Sequence, residues 1–427
     1  MMPRRAVTVA LGLALGIVAL LPPSAASAGG AIHNYVVVLK DSTSDPGAVA
    51  SDEGRRYGFT ARMVYGTVLK GYAASMTDAA AAALPQDDSR VEFVSPDRTF
   101  TAIGATSGQT LPTGVNRIDA DVGSTLAGNG IGSIGVPIAV IDSGSTHPDL
   151  NVVGGKGCVP NSTSYADGNG HGTHVAGTAA AKDDGSGVVG VAPGAPVWSV
   201  RVLGNNGSGT TSSLVCGVDW VTANAAATGI KVANMSIAGA GSDDGNCGRT
   251  NADALHLAIC NSVAKGVTYV VGAGNTGTNL ASTVPAAYDE VLTVTGMADF
   301  NGQPGGGAVS GCLKDVDDTS YDISNYATPG GADAAHTIAA PAACIYSTYK
   351  GGGYATMAGT SMSTAHVSGA VALCIASGPC AGLSPAAIIA RLRSDAAARP
   401  AGYGFAGDPS SPVAGRYYGN LVYAGGY

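Results

Sequence analysis

A hydroxyl, an imidazole and a carboxylate, each set among small residues, carry the chemistry this sequence can do. The hydroxyl is Ser361, in Gly359-Thr360-Ser361-Met362-Ser363-Thr364-Ala365-His366. Beyond it Val367, Ala370, Val371 and Cys374 recur at helical spacing with small residues between them, the pattern of a helix packed closely on every side. Gly359 permits a sharp entry turn, which puts Ser361 on the first helical turn, where free N–H groups and the positive dipole end favour a developing anion. A serine there is placed for acyl transfer. An isolated Gly-x-Ser is ordinarily no more than a helix cap, so the assignment depends on what the rest of the chain offers it.

A serine hydroxyl needs a base to take its proton, and the base needs a carboxylate to fix its tautomer and stabilise its imidazolium. Ala139-Val140-Ile141-Asp142-Ser143-Gly144 and Asn169-Gly170-His171-Gly172-Thr173-His174-Val175-Ala176-Gly177-Thr178 supply both. Asp142 closes an apolar run over 136–141, as a buried parallel strand with its carboxyl end at a crevice would. His171 opens a small-residue helix that ends near residue 181. The order Asp, His, Ser and the sequence around each resemble the subtilisin-like serine proteases, nearer the secreted proteinase K type, over essentially the whole chain. The resemblance implies that Ser361 attacks a peptide carbonyl while His171 acts as base and then acid, held by Asp142.

Of 427 residues, 45% are hydrophobic and 12% charged, the balance of a well-buried chain long enough for more than one domain. A net charge of −8 without Lys/Arg clusters argues against nucleic acid or an anionic membrane surface as partner. The 64 glycines have no collagen-like period and fall at turns between apolar runs. Arg4 and Arg5 precede an apolar run over 6–21, then Pro22-Pro23 and Ala26-Ser27-Ala28, the layout of a secretory signal over 1–28. That run is too short for a membrane-spanning helix. In an exported chain the eight cysteines read as up to four disulfides, and no Cys-x-x-Cys pair points to zinc or redox chemistry. Among roughly one hundred connectivities, proximity favours Cys374 with Cys380 and Cys247 with Cys260, leaving Cys312 with Cys344 and Cys158 with Cys216.

Residues 29–105 read as a separate unit. A strand over 32–40, a helix over 45–56, two short strands within 62–76, a capped Ala-rich helix over 77–84 and a strand over 90–95 suggest a small ferredoxin-like α+β domain. It resembles the propeptide of the family, a folding assistant and intramolecular inhibitor. The small, polar linker at 101–109 is where the maturation cut is expected. From 106 to 427, strands at 138–141, 197–203, 231–235, 267–271 and 291–295 alternate with helices at 211–227, 251–265 and 384–393. This predicts an α/β fold, a doubly wound and mostly parallel sheet flanked by helices. Asn251 and Gly266 mark the start and stop of the middle helix. The Gly-, Pro- and Tyr-rich tail after Pro400 reads as closing structure.

On that scaffold the resemblance gives further residues a role. Asn275, after a strand in Val270-Val271-Gly272-Ala273-Gly274-Asn275, would offer its amide to the oxyanion opposite the Ser361 N–H. Gly207-Ser208-Gly209 and Ser236-Ile237-Ala238 would be the two backbone edges that hold an extended peptide, and Gly272, Ala273 and Gly274 would line the pocket for a nonpolar side chain before the scissile bond. The loop Lys182-Asp183-Asp184-Gly185-Ser186-Gly187-Val188 has the length of the family's strong calcium loop. Carried over, Asp149 and Asp184 would bind structural Ca2+ through side chains, and Lys182, Ser186 and Val188 through carbonyls. Ser363 and Ala365 depart from the family pattern, which has alanine and proline there, and 300–325 carries an insertion-like stretch. The expected partners are polypeptide substrates and the chain's own propeptide, with no organic cofactor and no second subunit.

Rival chemistries lack residues. A lipase-type hydrolase requires Gly-x-Ser-x-Gly and the serine first in order, but Ser363 stands at the fifth position and the acid and base come earlier. Zinc proteolysis through His171 and His174 would need a His-Glu-x-x-His helix. Gly272-x-Gly274-x-x-Gly277 matches a dinucleotide fingerprint formally, yet 279–285 reads as loop where a helix should follow. A retired scaffold that only binds protein would have lost a catalytic position, and none is lost. The expectation is a secreted serine endopeptidase made as a self-processed zymogen.

Overall fold

The computed structural model describes residues 31–67, 69–97, 108–160 and 162–427. The expected signal segment over 1–28 and most of the expected cleavage linker lie outside the described residues. The chain forms two compact units that part near residue 101.

The first unit runs β1 (Ile32–Leu39), α1 (Pro46–Tyr57), β2 (Ala61–Tyr65), β3 (Lys70–Thr77), α2 (Asp78–Asp87) and β4 (Val91–Pro96). Local chemistry sets its helix ends. The Asp45 carboxylate accepts the Ala48 N–H ahead of Pro46, and Gly58 closes α1 with a left-handed φ of 77°. Thr77 caps α2 in the same way. The sheet order β2-β3-β1-β4, antiparallel throughout, is the ferredoxin-like arrangement, with Val37, Leu39, Val49, Tyr72 and Leu84 in its core.

The second unit runs β5 (Gln109–Thr110), α3 (Thr113–Arg117), β6 (Ile138–Asp142), β7 (Val152–Gly157), α4 (His171–Ala180), β8 (Gly187–Val188), β9 (Val197–Arg201), α5 (Thr211–Thr228), β10 (Val232–Met235), β11 (Gly239–Ala240), α6 (Ala254–Val263), β12 (Thr268–Gly272), β13 (Thr283–Val284), β14 (Leu292–Ala298), β15 (Thr319–Ser320), β16 (Thr337–Pro341), β17 (Ile345–Tyr349), β18 (Gly353–Met357), α7 (Thr360–Ser377) and α8 (Pro385–Ala397). Its main sheet orders β7-β9-β6-β10-β12-β14, all parallel, with β16 parallel and β15 antiparallel to β14. Alternate residues feed a core on each face. Ile138, Val140, Val232 and Val270 pack with α4, α7 and α8, whereas Ala139, Ile141, Ala233 and Val271 pack with α5 and α6. Burial on both faces is why these strands read as unbroken apolar runs. After β6 the chain builds β7 and β9 on one side and then β10 on the other. The carboxyl end of β6 therefore lies at the reversal of strand order, where open α/β sheets form their crevice.

Several boundaries differ from expectation. Helix α6 starts at Ala254, not Asn251, because Asp253 caps it by accepting the Leu255 and His256 N–H groups, while the Asn251 N–H is taken by Asp244. Strand β7 escaped notice because Gly154, Gly155 and Gly157 break its apolar pattern. The 300–325 stretch is tied down by polar groups. Arg117, 1% exposed, donates to Asp318 and to the Gly404 carbonyl, and Asp317 accepts the Phe300 and Ala308 N–H groups. All four expected disulfides are present: Cys158–Cys216, Cys247–Cys260, Cys312–Cys344 and Cys374–Cys380.

Candidate active site

Three element ends converge on the crevice. Asp142 is the last residue of β6, His171 the first of α4 and Ser361 the second of α7. The helices that carry the base and the nucleophile pack closely against one another. A Cβ on Gly369 of α7 would stand 2.9 Å from the Ala179 carbonyl of α4 and 2.6 Å from Val191, so only glycine allows this approach.

Asp142 is fully buried, and its two carboxylate oxygens lie 2.8 and 2.9 Å from His171 Nδ1. That contact places the imidazole proton on Nδ1 and leaves Nε2 as the basic nitrogen, on a side chain 21% exposed at the crevice. Burial alone would lower the pKa of His171, but the charge and hydrogen bond of Asp142, with a smaller push from Asp167, outweigh it and raise the pKa above the usual histidine value. Among the described hydrogen bonds, Ser361 Oγ donates to the Ser236 carbonyl at 3.4 Å and not to His171. Catalytic bonds of this kind often tighten only with substrate in place. His174, the second histidine of its motif, faces away from the site. Its Nε2 lies 3.0 Å from both the Ile345 and Ala355 carbonyls, and burial lowers its pKa to about 4.

Asn275 Oδ1 accepts the Thr360 N–H at 2.9 Å, which turns the amide so that Nδ2 is the end left to donate. A Cβ on Gly359, whose φ is 146°, would come 3.2 Å from that Nδ2. The Thr360 N–H goes to Asn275 and the Met362 N–H to the Gly359 carbonyl, and the Ser361 N–H between them, without a side-chain cap from Gly359, is left beside the amide. An anion formed at Ser361 would meet donors from two sides. Ser363, the departure from the family pattern, spends its hydroxyl on the Pro341 carbonyl.

The expected substrate residues fall into distinct places. Gly207, Ser208 and Gly209 form an exposed turn ahead of α5, with Gly204 N–H bonded to the Ser208 carbonyl. Ile237 is half-buried and Ala238 exposed, but the Ser236 hydroxyl points inward and donates to the Ser361 carbonyl at 2.9 Å. A cavity of about 350 Å³ is lined by Ala238, Gly239, Gly274, Asn275, Thr276 and Asn325, among others. Gly272 and Ala273 are buried and do not line it, contrary to expectation, because they continue the sheet behind the wall that Gly274 forms. Thr276, Thr278 and Thr283 add hydroxyls, so the wall is mixed in polarity.

The comparisons with known proteins agree with this geometry. A sequence profile of the Subtilase family matches residues 133–409. The chain belongs to the subtilase family. It is 37% identical over 287 residues to an alkaline protease of Alkalihalobacillus alcalophilus, a match that covers 67% of this chain and spans 64% of that protein. It is 39% identical over 266 residues to subtilisin Savinase of Lederbergia lenta, covering 62% of this chain and 84% of the relative. A crystal structure of a cold adapted subtilisin-like serine proteinase superimposes with a TM-score of 0.55 at 30% identity, covering 73% of this chain and 97% of the other.

In this subtilase the expected calcium loop converges on a residue the sequence did not single out. Gln109, counted with the cleavable linker, sits on β5 paired with β8, and its amide lies 2.8, 3.1 and 3.2 Å from the Lys182, Ser186 and Val188 carbonyls. Asp149 Oδ2 accepts the Val188 N–H and the Tyr354 hydroxyl, while Oδ1 is buried without a partner. Burial, eased only in part by those bonds, lifts the Asp149 pKa to about 6. Asp184 Oδ1 is engaged by the Ser186 N–H and hydroxyl. Three carbonyls, an orphaned carboxylate oxygen and an amide that presents oxygen when turned over are a donor set suited to calcium.

Sequence reasoning missed other supports of the subtilase site. Asp167 accepts the Asn169, Gly170 and Thr173 N–H groups at the start of α4 and the Ser143 hydroxyl from the end of β6, tying base to acid. An acidic residue four places before His171, at a helix start, was the available signal. Asn234 bridges Ser236 and Ser368 beneath the nucleophile, and Asn325 Oδ1 accepts the Thr276 and Thr278 N–H groups, shaping the turn after Asn275. Neither has a local signature.

Proposed function

We propose that this subtilase is a secreted serine endopeptidase, made as an inactive precursor whose residues 29–105 are a propeptide and whose catalytic domain is 106–427. The observation that carries the activity is the His171–Asp142 contact at the crevice, with Ser361 on the first turn of α7. His171 Nε2 takes the Ser361 proton as Oγ attacks the carbonyl carbon, Asp142 stabilises the resulting imidazolium, and Asn275 with the Ser361 N–H receives the oxyanion. His171 then gives the proton to the leaving amine, and water repeats the sequence on the acyl-enzyme. Every catalytic position is filled, which disfavours a scaffold that only binds. The mixed lining of the cavity beside Ala238 and Gly274 suits small or medium side chains before the scissile bond, apolar or hydroxyl-bearing.

Calcium is assigned to Asp149, Asp184, Gln109 and the carbonyls of Lys182, Ser186 and Val188, where it would neutralise a buried carboxylate and fix the loop after α4. Secretion is supported by the signal-like start and eight cysteines paired in four disulfides. Among the described residues no helix is long and apolar enough to cross a membrane. The test of the activity is labelling by a fluorophosphonate together with hydrolysis of a soluble peptide. Wild type should do both, with the adduct on Ser361, and Ser361→Ala should do neither. An adduct elsewhere, or peptide hydrolysis undiminished in Ser361→Ala, would overturn the reading.

A further inference from the structure

The first unit holds a buried acid that the catalytic reading does not use. Glu53, on α1, is 2% exposed. Its Oε2 accepts the hydroxyl of Tyr72, a β3 residue fully buried in the core of the unit, while Oε1 is buried without a bonded partner. Facing it from the turn between α2 and β4 is Asp88. The Asp88 side chain is mostly buried and is gripped by Arg90, with Nε at 3.0 and 3.1 Å from its two oxygens and Nη2 at 2.6 Å from Oδ2. The Arg90 contact holds the Asp88 pKa down at about 2, so Asp88 is ionised throughout the ordinary pH range. Other ionisable groups around Glu53 are engaged elsewhere. Tyr57, one turn on in α1, gives its hydroxyl to Asp87, which also pairs with Arg56, and Asp52 pairs with Arg55. On β2, Arg62 pairs with Asp97 and Tyr65 bonds Met63.

This arrangement fits one protonation state. An ionised Glu53 would leave Oε1 stripped of water with nothing to hold it, and would set two like charges together inside the unit. A protonated Glu53 has an O–H to give, and Asp88 is the carboxylate that takes it, a bond that keeps the proton on Glu53 and the charge on Asp88. Burial raises the Glu53 pKa, the Tyr72 hydroxyl opposes that rise, and Asp88 adds to it. Protonated, the pair ties the middle of α1 to the end of α2, where the Asp88 N–H already closes on the Leu84 carbonyl. Val49, Leu84 and Val91 lie in the core that these segments enclose. The contribution of the neutral acid to folding is complete below about pH 4.3, the ordinary carboxyl value, and is lost as pH rises through the raised value in the fold.

We propose that Glu53 and Asp88 form a proton-held latch of the first unit, closed while Glu53 carries its proton and opened when a base in the medium removes it and leaves two carboxylates facing one another. The unit then loosens as its surroundings turn from acid to neutral, and inhibition by it lapses. That consequence for activity rests on the propeptide reading above, whereas the latch itself does not. The test uses the full chain carrying Ser361→Ala, which removes self-cleavage, and reads hydrogen exchange by mass spectrometry, corrected for intrinsic rates. Protection of α1 and β3 should fall about tenfold or more between about pH 5 and about pH 8, and protection of α7 should not. Glu53→Gln, whose amide donates to Asp88 at either pH, should keep the protection of the acid state at both. Asp88→Asn should shrink the fall by removing the like charge. Protection equal at the two pH values would overturn the latch. A fall that persists in full in Glu53→Gln, or in Asp88→Asn should Glu53→Gln not fold, would overturn it as well. In the chain that keeps Ser361, Glu53→Gln should slow conversion of precursor to mature size at about pH 8 by about tenfold, with kcat/KM of the mature enzyme unchanged. Conversion indifferent to Glu53→Gln, with exchange as expected, would overturn the part of the latch in activation alone.

Discussion

Asn275 and Thr360 hold one another at the head of α7, the Asn275 Oδ1 accepting the Thr360 N–H at 2.9 Å. One bond thus aims the amide nitrogen and ties the strand-end turn to the nucleophile's helix. Asn275→Ala should lower kcat by about 10²–10³ with KM little changed, a magnitude established for this donor in a member of the family. Asn275→Asp should do at least as badly, since its oxygen can still accept from Thr360 but it brings a charge where a donor is needed. Steady-state kinetics decide the matter, and a kcat within a few-fold of wild type would remove Asn275 from the oxyanion site.

The base must be neutral to work. Because Asp142 raises the pKa of His171, the acid limb of kcat/KM should bend above the ordinary histidine value of about 6.5, with activity falling as pH drops through the bend. A profile flat down to about pH 5 would contradict His171 as base.

Calcium and pH should act on stability together. The Asp149 pKa is raised from 3.8 to about 6 in the fold, so its neutral form favours folding fully below about pH 4, and that contribution is lost as pH rises through about 6. A bound cation reverses the penalty by pairing with the ionised carboxylate. The rise in Tm on adding calcium should therefore be small near pH 4.5 and grow toward pH 8. Asp149→Asn should flatten that dependence. An increment equal at both pH values, measured by calorimetry, would show that Asp149 is not the ligand.

Processing supplies a test that spans both halves of the chain. If the enzyme releases residues 29–105 by its own chemistry, Ser361→Ala should accumulate as a folded precursor, because the change removes one hydroxyl and leaves the core intact. Loss of such a serine costs on the order of a millionfold in turnover in a member of this family. Intact mass spectrometry after expression in a protease-deficient host gives the answer. Mature-sized Ser361→Ala protein would refute self-cleavage.

What the sequence disclosed and what it concealed divide by range. Asp142, His171 and Ser361 were legible because each sits in a contiguous motif at the end of an element whose period shows. Two cysteine pairs, Cys374–Cys380 and Cys247–Cys260, were legible by proximity in the chain, and the other two were what remained. Gln109, Asp167, Asn234 and Asn325 act through partners brought near only by the fold, as when Gln109 meets carbonyls more than seventy positions away. Asn251 misled because helix-start chemistry was present twice, and tertiary structure used Asp253 for the helix and gave the Asn251 N–H to the Asp244 loop. Gly272 and Ala273 misled because adjacency to Gly274 does not distinguish a wall from what stands behind it.

Gln109 lies on the first strand described in the second unit and also faces the carbonyls of the proposed calcium loop. If the segment before it is cut away as proposed, it would stand within a few residues of a free chain end, which is the part of any protein most prone to fray and be nibbled. Its strand has two residues and pairs only with Gly187–Val188. An ion there would act as a clasp on a loose thread, and its departure would begin an unravelling from the tip inward. The working lifetime of the molecule would then be metered by the calcium in its surroundings, long where the ion is plentiful and brief where it is scarce.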